Sequence, residues 1–268
     1  MTAATSWLFV PGNRPERFAK AVGSGAGEVI IDLEDAVPPD AKRSARDSAV
    51  HWVTASDPTW VRINAVGTAW HRDDVAALGS CSGLRGVLLP KAERAQDLVA
   101  LRAALPVGVE VIALVESARG IRDVNEVATC GAVLALAFGS LDFALDIGAE
   151  PVDDALHYAR SAVVVASRAA GLASPIDGVT TAIHDRDALA RDATLARRLG
   201  FGGKLCIHPA QVPIVNDRFA PDAAELDWAQ RLLSVAAEAA GGAFVVDGQM
   251  IDEPVLEQAR RIVQRAAQ

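Results

Sequence analysis

The sequence predicts an α/β barrel of about eight strand–helix repeats, and three observations carry that expectation. Short β-rich runs recur near 7–10, 28–32, 60–64, 86–90, 110–116, 132–139, 174–179 and 203–208. Most are continuously apolar rather than alternating, as parallel strands covered on both faces are. Between them lie stretches such as 91–105 and 185–200, whose apolar residues fall at the spacing of crossover helices. A chain of 268 residues, 51% hydrophobic, is long enough to close these repeats around one large core.

The elements finish alike. The run 7-WLFV-10 gives way to Asn13 and Arg14, and 28-EVIID-32 leads straight into Glu34 and Asp35. The third run ends in Arg62 and Asn64, the fourth in Lys91 and the fifth in Glu116. The sixth is followed by Asp142, while Asp177 and His208 mark the seventh and eighth. Strand ends in a barrel face one shared mouth, so apolar strands that finish in ionisable groups imply a polar basin of mixed charge. After the last run, 222–241 reads as a long helix, 243–254 as a short extended piece, and the remainder as a final helix. No linker rich in Pro, Gly or Ser separates these parts. One domain is therefore expected, with the barrel in residues 1–215 and an appendage in 216–268.

Composition narrows the function. A net charge of −8 argues against a nucleic-acid surface. No apolar stretch approaches the ~20 residues of a membrane span, and the N-terminal residues lack the pattern of a secretory signal. Cys81, Cys130 and Cys206 show no ligand spacing and read as reduced thiols of a cytoplasmic protein. The string 23-GSGAG-27 precedes a strand and lacks the Lys and Ser/Thr of a phosphate loop. Likewise 79-GSCSG-83 precedes its strand, which rules out a nucleophile elbow.

Glu116 and Asp142 follow neighbouring strands and offer acceptor-only oxygens, the donor set from which Mg²⁺ commonly takes one or two carboxylates. Each can instead cap the helix that follows. Arg62 can grip a carboxylate with two parallel hydrogen bonds and stabilise developing oxyanion charge, or pair with Asp32, Glu34 and Asp35. Those three acids can also hold metal-bound water. Lys91 suits a Schiff base or an ion pair. Arg14, Arg17 and Lys20 suit the phosphates of a nucleotide-like handle or a solvated helix face.

Eight segments in order, 8-LFVPGNRPERFAK-20, 31-IDLEDAV-37, 61-VRIN-64, 88-LLPK-91, 114-LVES-117, 138-FGSLDF-143, 206-CIHPAQ-211 and 248-GQMIDEP-254, cover nearly the whole chain. Together they resemble the citrate lyase beta-subunit-like branch of the HpcH/HpaI aldolase superfamily. The resemblance implies a TIM (β/α)8 barrel with a C-terminal helical and lid extension, usually a homotrimer. It implies a Mg²⁺-dependent carbon–carbon lyase that cleaves or forms a β-hydroxyacyl-CoA such as citramalyl-CoA, malyl-CoA or citryl-CoA. Glu116 and Asp142 match its metal ligands, and Arg62 its substrate-carboxylate arginine, with Glu34 and Asp35 beside it. Arg14, Arg17, Lys20, Ile207 and His208 fall where relatives contact CoA. Asp252 matches an aspartate that a neighbouring subunit supplies as acid/base. Leu141 departs from the Glu that many relatives carry before the metal aspartate. The alternatives are an aldolase on CoA-free 2-oxo acid aldols, and a citrate lyase beta-type subunit dependent on acyl-carrier partners.

Overall fold

The computed structural model of the protein describes residues 4–55, 58–238, 244–246 and 248–266. Eight parallel strands close into a barrel: β1 (Ser6–Pro11), β2 (Glu28–Asp32), β3 (Thr59–Arg62), β4 (Leu84–Leu89), β5 (Glu110–Val115), β6 (Ala135–Phe138), β7 (Ile176–Asp177) and β8 (Gly203–Cys206). Each pairs with its sequence neighbour, and β8 returns to β1 with Trp7 opposite Leu205. Helices α1 (Phe18–Val22), α2 (Lys42–Ala55), α3 (His71–Leu78), α4 (Ala95–Ala104), α5 (Ala118–Arg122), α6 (Val124–Thr129), α7 (Ser140–Ile147), α8 (Asp153–Ala169) and α9 (Arg186–Leu199) form the crossovers.

Inside, Trp7, Ile30, Trp60, Leu88, Ile112 and Leu205 pack as one buried cluster. This removal of apolar surface from water is the main term favouring closure. Trp7 and Trp60 meet edge to face with centroids 5.3 Å apart. The Trp60 ring lies over Gly86, where any Cβ would overlap it. That glycine is what lets β3 carry a tryptophan inward.

Two strands are much shorter than the apolar runs that announce them. The run at 132–139 pairs only over Ala135–Phe138, and 174–179 only over Ile176–Asp177, where Pro175 has no N–H to offer. The helix expected from 91 starts at Ala95, because Lys91 takes a left-handed turn (φ 49°) first.

One compact unit ends at Asn216 and the next begins at Asp217; α10 (Val212–Phe219) runs across that boundary. The second unit contains α11 (Ala223–Glu238), β9 (Phe244–Val246), β10 (Gln249–Ile251) and α12 (Glu253–Ala266). β9 and β10 form an antiparallel hairpin, with Gly248 in the left-handed region (φ 78°) at its turn. Leu256, Ala259 and Ile262 of α12 fall at helical spacing and pack with Ala229 and Leu232 of α11. No described helix is long and apolar enough to cross a membrane.

Candidate active site at the barrel mouth

β2 delivers Asp32 to the mouth directly opposite Arg62 of β3. Asp32, 1% exposed, takes Nε and Nη2 of Arg62 at 2.7 Å each, and the N–H groups of Glu34 and Ala36 at 2.9 and 3.0 Å. Burial alone would raise its pKa, but the guanidinium and these hydrogen bonds hold it below the usual value. Glu34 bridges two cations, with Oε2 3.0 Å from Arg62 Nη1 and Oε1 2.8 Å from Lys91 Nζ. Its burial still outweighs them and raises its pKa. Asp35 stands further out, 4.0 Å from Arg62 and largely exposed. Phe9 lies against the guanidinium, 4.7 Å from ring centroid to Cζ. The loop after β2 thus builds an ionic girdle around Arg62.

Behind this loop stands a network that the sequence did not announce. Lys42, buried at the start of α2, donates to Leu33 O, Glu34 O and Asn64 Oδ1 at 2.6–2.7 Å. Asn64 in turn donates its side-chain and main-chain N–H groups to Asp74, which also accepts from Arg46. Asn64 therefore braces the strand ends and does not enter the basin. The available signal was Lys42 itself, since a cation in the first turn opposes the helix dipole and needs another reason to be there.

Across the mouth the electrostatics reverse. Glu116 follows β5, is 3% exposed, and accepts one N–H, from Lys91, at 2.8 Å. Burial, then Glu34, then Asp142 push its pKa up to about 8. Gly139 makes room for it, because a Cβ there would overlap Glu116 Oε2. Asp142 sits half-buried in the first turn of α7. Asp32, Asp35, Arg62, Glu116 and Asp142 all line one cavity of about 350 Å³.

The far wall belongs to β7 and β8. Val179 and Ile207 line the cavity, and buried Gln211 ties their loops together, accepting from Ile207 N at 2.9 Å and donating to Thr180 O at 2.8 Å. His208 Nδ1 accepts from Ala210 N–H and caps a short turn. Arg14, Arg17 and Lys20 are exposed on the first loop and α1, outside the cavity lining. Arg14 pairs with Glu16 at 2.6 Å. Asp177 corrects the expectation that every strand-end acid joins the basin. It turns away from the barrel interior, fully buried between Arg160 and Lys204. In the second unit, Asp252 caps α12, accepting from Val255 N–H at 3.3 Å.

Among the described residues no group of three or more His, Cys, Asp or Glu side chains is arranged to hold an ion. A pair of carboxylates nonetheless fits a hard cation that completes its shell with water and substrate oxygens. Glu116 meets that test, because it is a buried carboxylate whose neighbours Glu34 and Asp142 repel its charge.

The family model for HpcH/HpaI aldolase/citrate lyase matches residues 5–209. A citrate lyase subunit beta-like protein of Deinococcus radiodurans is 40% identical over 284 residues, 98% of this chain and 97% of that protein. A (3S)-malyl-CoA thioesterase of Cereibacter sphaeroides is 34% identical, covering 97% of this chain and 94% of its own length. Among solved structures, CitE of Mycobacterium tuberculosis, crystallised with magnesium, acetoacetate and coenzyme A, superposes with a TM-score of 0.90 at 37% identity and full coverage of both chains. A mouth built from acidic strand ends around one arginine and a sequence matched from end to end lead to the same place: this chain is an enzyme of the HpcH/HpaI aldolase/citrate lyase family.

Proposed function

We propose that the protein is a Mg²⁺-dependent lyase that splits, or in reverse forms, a β-hydroxyacyl-CoA thioester, yielding a 2-oxo acid and a shorter acyl-CoA. The observation that carries this reading is Glu116, a buried carboxylate raised to about 8 that faces the same cavity as Asp142 and Arg62. Glu116 and Asp142 hold the ion, and when bound it supplies Lewis-acid stabilisation of the substrate's carboxylate and hydroxyl oxygens. Magnesium in a related crystal supports the choice of ion.

Arg62 binds the substrate carboxylate and offsets the charge that grows as the hydroxyl becomes a ketone. Asp32 fixes the plane of its guanidinium through two parallel bonds, and Glu34, tied to Lys91, holds its third nitrogen. The hydroxyl passes its proton to water at the open side of the cavity, the electrons of its O–H bond form the carbonyl, and the bond to the thioester α-carbon breaks. That carbon retains the pair and is protonated by Asp252 of a neighbouring copy; in synthesis Asp252 removes the same proton. On this reading 216–268 is a lid that completes the site in a homotrimer, Arg14, Arg17 and Lys20 meet the CoA phosphates, and Ile207 and His208 flank its thiol arm. Three free cysteines suit a cytoplasmic location.

Purified protein offered citramalyl-CoA or malyl-CoA is expected to release a 2-oxo acid while the CoA stays acylated. EDTA should abolish this, and Mg²⁺ restore it. Free CoA thiol without 2-oxo acid would favour thioester hydrolysis, the activity named for the Cereibacter relative. Asp252→Asn should keep the α12 cap yet stop turnover, and mixed trimers with Glu116→Ala should recover activity. No recovery in verified mixed trimers would remove the shared site.

A further inference from the structure

The cavity's charge inventory points to a narrower substrate. We infer that the site selects a thioester whose carbinol carbon carries one free carboxylate and an alkyl group, and rejects one bearing a second carboxylate there. This rests on the lyase reading above.

Among the described residues that line the cavity, Arg62 is the one cation, and Asp32, Asp35, Glu116 and Asp142 are four acids. Arg62 has five N–H donors. Nε and one N–H of Nη2 are taken by Asp32, and Nη1 faces Glu34 at 3.0 Å. Glu34 Oε2 accepts no hydrogen bond from Nη1, so at least one N–H on each terminal nitrogen is left, a fork that fits a single carboxylate. Lys91, the next cation, is outside the lining and paired with Glu34 at 2.8 Å. A divalent ion on Glu116 and Asp142 is offset by the carboxylates that hold it. A second substrate carboxylate therefore finds no counter-charge, only acids in a partly desolvated cavity.

The remaining wall is suited to a different group. Phe9, Leu114, Phe138, Leu141, Val179 and Ile207 present apolar surface, relieved by the Ser140 hydroxyl. An alkyl substituent removes water from that surface. A methyl in place of hydrogen is worth roughly tenfold in such a pocket.

The test is a series of three CoA thioesters that differ only at the carbinol carbon, which carries hydrogen, methyl or carboxymethyl beside its carboxylate: malyl-, citramalyl- and citryl-CoA. With Mg²⁺ saturating, kcat/KM is expected to be about tenfold higher for methyl than for hydrogen, and at least ~100-fold lower for carboxymethyl than for methyl. Equal or better use of the carboxymethyl thioester would overturn the inference while leaving the lyase standing. Silence on all three would overturn the lyase reading and the inference with it. Leu141 and Ile207 are each 37% exposed, so Leu141→Arg and Ile207→Arg should fold. At least one should raise the carboxymethyl-to-methyl ratio by about tenfold, as a new charge pair does. An unchanged ratio in both folded variants would mean that the missing counter-charge is not what discriminates.

Discussion

Two carboxylates at the same mouth, Asp32 and Glu116, are equally buried and oppositely treated. Asp32 accepts four hydrogen bonds, two of them from a guanidinium, and is held ionised. Glu116 accepts a single backbone N–H and is surrounded by other acids, so its proton is retained up to about pH 8. The difference separates two jobs that burial alone does not. A saturated carboxylate is scaffold, since every lone pair is spent inside the protein. On the function proposed above, an unsaturated one is a ligand whose cation comes from outside.

The largest effect expected of this contrast is on stability. Asp32→Asn strips Arg62 of its buried partner and should cost about 3–5 kcal/mol, read by urea unfolding. Glu116→Gln in EDTA should unfold at the same urea concentration as the parent or a higher one, while losing the midpoint increase that Mg²⁺ gives the parent. Equal losses in the two variants would erase the distinction.

A pH series sharpens it. Glu116 has a folded pKa above its usual 4.5, so its contribution to stability is full below that value and is lost as pH rises towards 8. Asp32 has a lowered pKa, so its contribution is present above the ordinary Asp value and is lost on acidification through its folded pKa. Metal-free protein should therefore lose stability between pH 5 and 8 at up to roughly 1.4 kcal/mol per unit for this one proton. Glu116→Gln should remove that slope, and one that persisted would have to come from another group.

The smallest effect belongs to Gly139. Gly139→Ala places a methyl against Glu116 Oε2 and should weaken Mg²⁺ binding by about 10–100-fold, measured by calorimetry, while Asp32 and Arg62 keep their pairing. Unaltered affinity would show that Glu116 has freedom to move aside.

Local pattern exposed most of the barrel, because each strand is an apolar run buried on both faces and each ends where ionisable residues begin. The acids at those ends could be found by position, but not their fates. Asp142 and Asp177 look alike in sequence, and only closure of the barrel shows one lining the cavity and the other buried against Arg160 and Lys204. Gln211 was silent for a related reason: its partners are the amide of Ile207 and the carbonyl of Thr180, main-chain groups that leave no mark on composition or periodicity. Lys42 stood out by its place in the first helical turn, but not the carbonyls it binds. The cap made by Asp252 did carry a local mark, since a helix opening Asp-Glu-Pro has the usual signal.

Lys91 is the one residue other than glycine with positive φ among those described, and it touches both kinds of carboxylate, through its amide to Glu116 and its ammonium to Glu34. Glycine would relax the main chain there but sever the tether to Glu34. Any uncharged long side chain keeps the contortion without the charge. Attempts to retool this mouth for new chemistry therefore inherit a joint that cannot be loosened on one side alone, and libraries that leave position 91 untouched should contain more working members than those that vary it.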